Sequence, residues 1–205
     1  MSALIALEEL TTDQQDALSD IKKAFLDQGQ SEYVLGGFAG TGKTTLVRMI
    51  ANELATHLGT PQFLAPTGKA ANVLTSKLGG AKAHTIHAYT KQFIEEREDP
   101  EGNSELVFEN KAFDASFLVV DEASMVNDDC YQGIKSKGVK TIWVGDPFQL
   151  PPIGGDPGIM SRRDSMIRQI CRQAEGSPDM QLATRIRDGK PYWHQENYYT
   201  LPVLK

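Results

Sequence analysis

The chain has 205 residues, 40% apolar and 23% charged, with a formal net charge of −6; that length suits one domain with a buried core plus a small appendage. The acidic balance argues against a broad basic surface for duplex DNA but leaves room for a narrow single-strand groove lined by a few local cations. The sequence has no run of about 18 apolar residues that would cross a membrane, no basic flank of a signal peptide in residues 1–10, and two cysteines, Cys130 and Cys171, without Cys-x-x-Cys spacing; a soluble protein of a reducing cytosol is expected, with no membrane partner.

Residues 11–27 read as a helix. Thr11 with Gln14, or Thr12 with Gln15, can form a capping box, and Ala17, Leu18, Ile21, Ala24 and Phe25 then share one face. Short apolar strands are predicted at 33–35, 62–65, 117–120 and 141–144, with a helix over 44–57. Strands that are apolar throughout, with helices between them, are those of a parallel sheet buried on both faces. Each strand runs into a polar segment: Gly36 onward, Pro66-Thr67, Asp121-Glu122 and Gly145-Asp146. Open parallel sheets bind ligands beyond the carboxyl ends of their strands, so the four segments are expected on one rim. Residues 89–115 differ. They are charged, their centre Asp99-Pro100-Glu101-Gly102-Asn103 is a turn signal, and 91–95 with 104–108 can pair as a hairpin inserted beside the sheet.

The strongest chemical signal is Gly37-Phe38-Ala39-Gly40-Thr41-Gly42-Lys43-Thr44, the pattern G-x-x-x-x-G-K-[ST] between a strand and a helix. Glycines such as Gly37, Gly40 and Gly42 let the backbone wrap closely and aim N–H groups at phosphate oxygens. The following helix start, with Thr44 and Thr45, adds its dipole. Lys43 is expected on the β- and γ-phosphates of ATP, and the Thr44 hydroxyl on Mg²⁺. Val119-Val120-Asp121-Glu122-Ala123-Ser124 delivers two acids from a strand end. Alone, that pattern reads equally as a loop start; beside the glycine loop it reads as Asp121 holding Mg²⁺ and Glu122 acting as general base. In Gly145-Asp146-Pro147-Phe148-Gln149-Leu150-Pro151-Pro152 the prolines favour a fixed extended loop. Gln149 there has two readings: a γ-phosphate donor or a solvated side chain. Pro66, Thr67, Lys69, Thr85 and His87 could line a nucleic-acid phosphate track, although Thr67 also reads as a helix cap and Lys69 as a solvated lysine. His84 and His87 lack the further ligands that zinc needs.

In order, Leu10-Thr11 with Gln14, GFAGTGKT, APTGKAA, HTIH, VVDEAS and GDPFQLPPI resemble the superfamily 1 DNA helicases of the RecD-like and phage Dda helicase group, over residues 10–189. The resemblance implies an α/β fold of the RecA-like P-loop type, ATP and Mg²⁺ as cofactors, and single-stranded DNA as partner. It further implies 5′→3′ movement in replication, recombination or repair. By the same resemblance Gln14 reads adenine, Gln149 senses both γ-phosphate and DNA, and residues 89–115 are a small duplex-splitting hairpin subdomain. Ile170-Cys171-Arg172-Gln173 is similar to a motif whose arginine reaches the γ-phosphate; Arg172 reads equally as a surface arginine of the arginine-rich stretch 162–187.

The expected organisation is a RecA-like ATPase domain from residues 1–88 and 116–190, the insertion at 89–115, and a tail at 191–205 that begins a second domain. Helicases of this group carry a second RecA-like lobe with an arginine finger, a group worth about 10³–10⁵ in rate. The expectation here is one lobe without it, completed by a further domain or a partner chain. Two functions follow: an ATP-dependent DNA helicase or its N-terminal motor fragment, and a non-motor ATP-binding module whose partner supplies the finger. Tyr192, Trp193, Tyr198 and Tyr199 in the tail fit the second, and read equally as residual core contacts left exposed by truncation. A P-loop kinase would need an acceptor site and a lid, and the sequence offers no sign of either.

Overall fold

The computed structural model describes residues 10–98, 104–110, 115–149, 151–169 and 185, with backbone alone for 92–98 and 104–110. Helix α1 (Thr12–Lys22) starts where its capping residue predicts. The Thr11 N–H donates to Gln14 Oε1 at 3.0 Å, and the Gln14 N–H donates to Thr11 Oγ1 at 3.4 Å. The rival box at Thr12 is not used; Gln15 Nε2 donates instead to the Leu10 carbonyl. The helical path continues to Asp27 as expected, but its last five residues, Lys23–Asp27, widen into one turn of π-helix that buries Ala24 and Phe25.

Strand β1 (Glu32–Gly37) leads into α2 (Lys43–Leu58), followed by β2 (Pro61–Ala65), α3 (Gly68–Lys77), β3 (Ala83–Thr85) and α4 (Ile86–Thr90). Next come β4 (Lys91–Glu98), β5 (Ser104–Asn110), β6 (Phe117–Val120), α5 (Asp128–Lys135), β7 (Lys140–Gly145) and β8 (Ser165–Ile167). Among the described residues six strands form one sheet in the order β3-β2-β6-β7-β1-β8, every pair parallel. The four predicted strands fill its middle. The edge strands β3 and β8 were not predicted: three residues are too few to show a period, and they are extended because a neighbour's backbone pairs with them.

Alternation along the strands divides the core. Phe117 and Val119 of β6 face α1, α2 and α3 together with Leu35, Phe63, Ile142 and Val144. Leu118 and Val120 face the opposite way, packing with Leu64, Trp143, Ile86 of α4, and Tyr131 and Ile134 of α5. All four β6 side chains are fully buried, which is why this strand reads as an unbroken apolar run. Phe117→Ala would leave a cavity that the sheet cannot close, and is expected to cost about 3–5 kcal/mol in denaturant unfolding. A change under 1 kcal/mol would place Phe117 outside the cooperative core.

β4 and β5 form a separate antiparallel pair, in register from Lys91 opposite Asn110 to Glu98 opposite Ser104, with one irregularity between Phe93 and Glu95. The strands are longer than the predicted 91–95 and 104–108, and the turn between them lies outside the described residues. Among the described residues no helix is long and apolar enough to cross a membrane.

Because the six-stranded sheet is wholly parallel, its carboxyl ends share one rim. The glycine loop after β1, Pro66-Thr67 after β2, Thr85 at the end of β3, Asp121-Glu122 after β6 and Gly145-Asp146 ending β7 all lie along it.

Candidate nucleotide-binding site

The loop between β1 and α2 is shaped by its glycines. Gly40 and Gly42 have φ of 77° and 72°, left-handed values that a side chain would strain. Between them Thr41 is fully buried, and its Oγ1 donates to the Phe38 carbonyl at 2.7 Å. Gly42 opens the 16-residue helix α2 with no side-chain cap, so the helix N-terminus is turned to the hollow of the loop. Lys43 folds back across that hollow, and its Nζ donates to the Gly37 and Phe38 carbonyls at 2.7 and 3.0 Å. Burial pushes the Lys43 ammonium below the ordinary lysine range, opposed by the nearby Asp146, Glu122 and Asp121 carboxylates.

Those carboxylates come from the ends of β6 and β7. Asp121 is 9% exposed. Its backbone N–H donates to the Leu64 carbonyl of β2, and its Oδ1 accepts the Glu122 N–H at 3.0 Å. Burial pushes its carboxyl above the usual range; the Glu122 N–H acts against this, as do the more distant Lys43 and Lys77. Glu122 has φ 55°, the one non-glycine positive φ among the described residues, a conformation costing about 1–3 kcal/mol. The 3₁₀ turn Ala123–Met125 follows it. Close packing holds that turn: a Cβ on Gly145 would sit 2.9 Å from the Ser124 nitrogen and 3.2 Å from the Ala123 nitrogen, both backbone atoms. Only glycine lets β7 end here.

After β7, Asp146 organises a tight turn. Its Oδ1 accepts the Phe148 N–H at 3.0 Å and its carbonyl accepts the Gln149 N–H at 3.2 Å. Gln149 is exposed but not simply solvated, since its Oε1 accepts the Ser124 hydroxyl at 2.7 Å. With the oxygen held, the carboxamide has its N–H donors left for a ligand. Further along the same loop the Asn127 amide donates to the Ile153 carbonyl, the Asp128 N–H to Gly155, and Arg162 to the Tyr131 hydroxyl. The long loop is thereby laid against the segment that follows Glu122.

An uncapped helix start, left-handed glycines, a desolvated lysine held only by carbonyls, and a buried carboxylate beside a threonine-bearing helix end form one donor set. That set fits a polyphosphate with a hard cation: N–H groups and ammonium for the phosphates, carboxylate and hydroxyl oxygens for the metal.

The remaining predicted residues divide into groups. Gln14 is 3% exposed; its Nε2 donates to the Thr41 carbonyl at 2.8 Å while its Oε1 serves the capping box. The carboxamide expected to read adenine therefore touches the glycine-loop backbone. Its neighbour Asp13, which the sequence reading passed over, accepts the Arg168 and Gln169 N–H groups at 2.8 and 3.0 Å, tying the exit of β8 to the same helix end. From sequence Asp13 is only an acid in a first helical turn. Thr67 and Thr85 cap α3 and α4, accepting the Ala70 and Ala88 N–H groups at 3.2 and 3.1 Å. Both stand at the rim, since Ala65 of β2 is paired with Thr85 of β3. Pro66 is half-buried beside them, Lys69 and His87 are exposed, and the His87 Nδ1 lies 3.6 Å from Cys130 Sγ. Thr44 and Thr45 are half-buried in the first turn of α2. Arg172 and Cys171 lie outside the described residues, as does the tail 191–205.

Fold and site together define a P-loop nucleotide-binding ATPase domain. A family model described as "AAA domain" matches residues 9–200, and the chain belongs to that family. It is 33% identical over 187 residues to the ATP-dependent RecD2 DNA helicase of Deinococcus radiodurans, covering 86% of this chain and 25% of that protein. It is 28% identical over 202 residues to the ATP-dependent DNA helicase dda of Enterobacteria phage T4, covering 91% of this chain and 44% of that one. Among solved structures, the Pif1 helicase from Candida albicans has the same fold over 91% of this chain and 45% of its own, at a TM-score of 0.59 and 19% identity. The domain is related to superfamily 1 DNA helicases, and spans from a quarter to under half the length of these relatives.

Proposed function

We propose that this chain is the ATP-hydrolysing lobe of a DNA helicase motor, stimulated by single-stranded DNA. The observation that carries the reading is the convergence on one rim of the desolvated Lys43, the acids Asp121 and Glu122, and Gln149 held by Ser124. In this reading Lys43 exchanges the Gly37 and Phe38 carbonyls for β- and γ-phosphate oxygens. Gly37, Gly40, Gly42, Thr44 and Thr45 present backbone N–H groups to the phosphate chain. Glu122 takes the proton of the attacking water, and the Gln149 N–H donors address the γ-phosphate. Gln14 braces the loop at Thr41 from the adenine side. Thr44 and Asp121 would hold Mg²⁺, which when bound neutralises charge on the β- and γ-oxygens. An arginine from a second RecA-like lobe or a partner chain would complete the site; Arg172 is a further candidate for the γ-phosphate. Residues 89–115 serve as the inserted subdomain, and movement 5′→3′ in replication, recombination or repair is the finer form of the proposal.

The test is nucleotide turnover by the purified chain, with and without single-stranded DNA, beside a fluorescent-nucleotide binding assay. Turnover that rises with DNA supports a motor lobe. Binding without turnover, in either condition, supports instead the nucleotide-binding module that waits for a partner's arginine.

The strand track is proposed to run over Pro66, Thr67, Lys69, Thr85 and His87, where the two capping threonines keep their hydroxyl hydrogens for phosphate oxygens. Lys69 is exposed on α3, so Lys69→Ala is expected to weaken single-strand binding and reduce the slope of log affinity against log salt by about 0.7, one phosphate contact. An unchanged slope would remove Lys69 from the track.

A further inference from the structure

Phe38, the second residue of the glycine loop, is a junction. Its N–H donates to the Ile167 carbonyl of β8 at 3.3 Å, and its carbonyl accepts both the Thr41 hydroxyl and the Lys43 ammonium. Its ring meets that of Phe148 with centroids 5.3 Å apart and planes tilted 44°. Phe148 is 68% exposed, a large share for a phenylalanine standing beside a polar site. Its backbone is fixed in the Asp146 turn together with that of Gln149, so the two side chains are carried on one rigid unit. We propose that the Phe38–Phe148 ring pair is a latch, and Phe148 a positioning residue, through which occupancy of the glycine loop sets the place of Gln149.

The inference rests on the nucleotide-site reading above. In the structure Lys43 is bonded to the Phe38 carbonyl. A triphosphate in the loop draws that ammonium away, and the junction at Phe38 loses one of its hydrogen bonds. A ring pair of this kind is worth about 0.5–1.5 kcal/mol beyond its buried area. That corresponds to a factor of roughly 2–12 in the balance between two loop positions, since about 1.4 kcal/mol is tenfold. It is enough to bias the turn that carries Gln149, and small enough to be broken and remade in each cycle. The Ser124 hydroxyl on Gln149 Oε1 is the restraint on the other side, linking the same turn to the segment after Glu122. The latch therefore joins the glycine loop to the turn that carries Gln149 and, through Ser124, to the segment after Glu122.

Two measurements test it. The first uses Phe148→Trp as an emission reporter, titrated with a Mg²⁺-bound non-hydrolysable ATP analogue, while a fluorescent nucleotide measures binding separately. The latch requires an emission change whose midpoint matches nucleotide binding, and its loss when Phe38→Leu is added to a chain that still binds. Unchanged emission with binding intact overturns the latch and leaves the nucleotide site standing. Absence of binding overturns both. The second is a turnover cycle. Phe148→Ala is expected to lower turnover at saturating nucleotide about 2- to 12-fold with nucleotide affinity changed by no more than the same factor, to be restored by Phe148→Tyr, and to have no further effect in a Gln149→Ala background. Equal losses in both backgrounds would show that Phe148 does not act through Gln149.

Discussion

Lys43→Ala is expected to lower nucleotide turnover by about 10²–10³-fold or more, the loss seen when one preorganised charge-stabilising donor is removed from a water-poor site. The expectation comes from the environment of the ammonium. Burial costs Lys43 part of its hydration, and its two hydrogen bonds are to neutral carbonyls of its own loop. A phosphate oxygen is a stronger partner than either carbonyl because it carries charge. The gain on exchange is largest where negative charge builds on the γ-phosphate. Fold should be preserved, because Lys43 is only half-buried and, of the two residues whose carbonyls it leaves, Gly37 is buried but Phe38 is half-exposed. Turnover measured beside the unfolding midpoint checks both halves of this. A variant that keeps more than a tenth of wild-type turnover would mean that phosphate charge is handled elsewhere.

The second large effect is at Glu122. Glu122→Gln is expected to reduce turnover by about 10²–10⁴-fold, the range for loss of a general base, while a fluorescent nucleotide still binds. The separation follows from placement: in the proposed site Lys43 and the α2 N-terminus hold phosphate, whereas Glu122 stands after the end of β6. Its backbone gives an independent check. At φ 55° a side chain is strained by about 1–2 kcal/mol and glycine is not, although glycine returns about 0.4–1 kcal/mol to the unfolded chain. Glu122→Gly should therefore be as inactive as Glu122→Ala yet up to about 1.6 kcal/mol more stable in denaturant unfolding. If Glu122→Ala proves the more stable, the left-handed turn is not strained. If Glu122→Gln turns over normally, another group takes the proton.

Much of the site was legible because its chemistry is local. The glycine loop needs its glycines, lysine and threonine at fixed offsets within one turn and one helix start, and eight consecutive residues state this fully. The capping box at Thr11 and Gln14 is local in the same way. The four central strands were legible because a parallel strand covered on both faces must be apolar at each position, as Phe117–Val120 is. That each strand ends in a polar segment was enough to gather those segments on one rim, since parallel strands point the same way.

Other features depend on residues far apart in sequence meeting in space. β8 has three residues and is a strand only because β1 lies beside it. Asp13 gains its importance from two N–H groups 155 and 156 positions away. Gln149 offered two sequence readings, donor or solvated side chain; a hydroxyl 25 residues upstream holds its oxygen and orients its amide. The left-handed backbone of Glu122 cannot be read from a glutamate, and the turn that follows it packs closely on Gly145, at the end of another strand. The sequence by itself determined the class of the protein and the identity of its phosphate loop, since short-range sterics and hydrogen bonding suffice for both. The tertiary structure alone decided how the acids, Gln149, Phe148 and α1 are oriented toward that loop, because each orientation is fixed by a partner on another strand or helix.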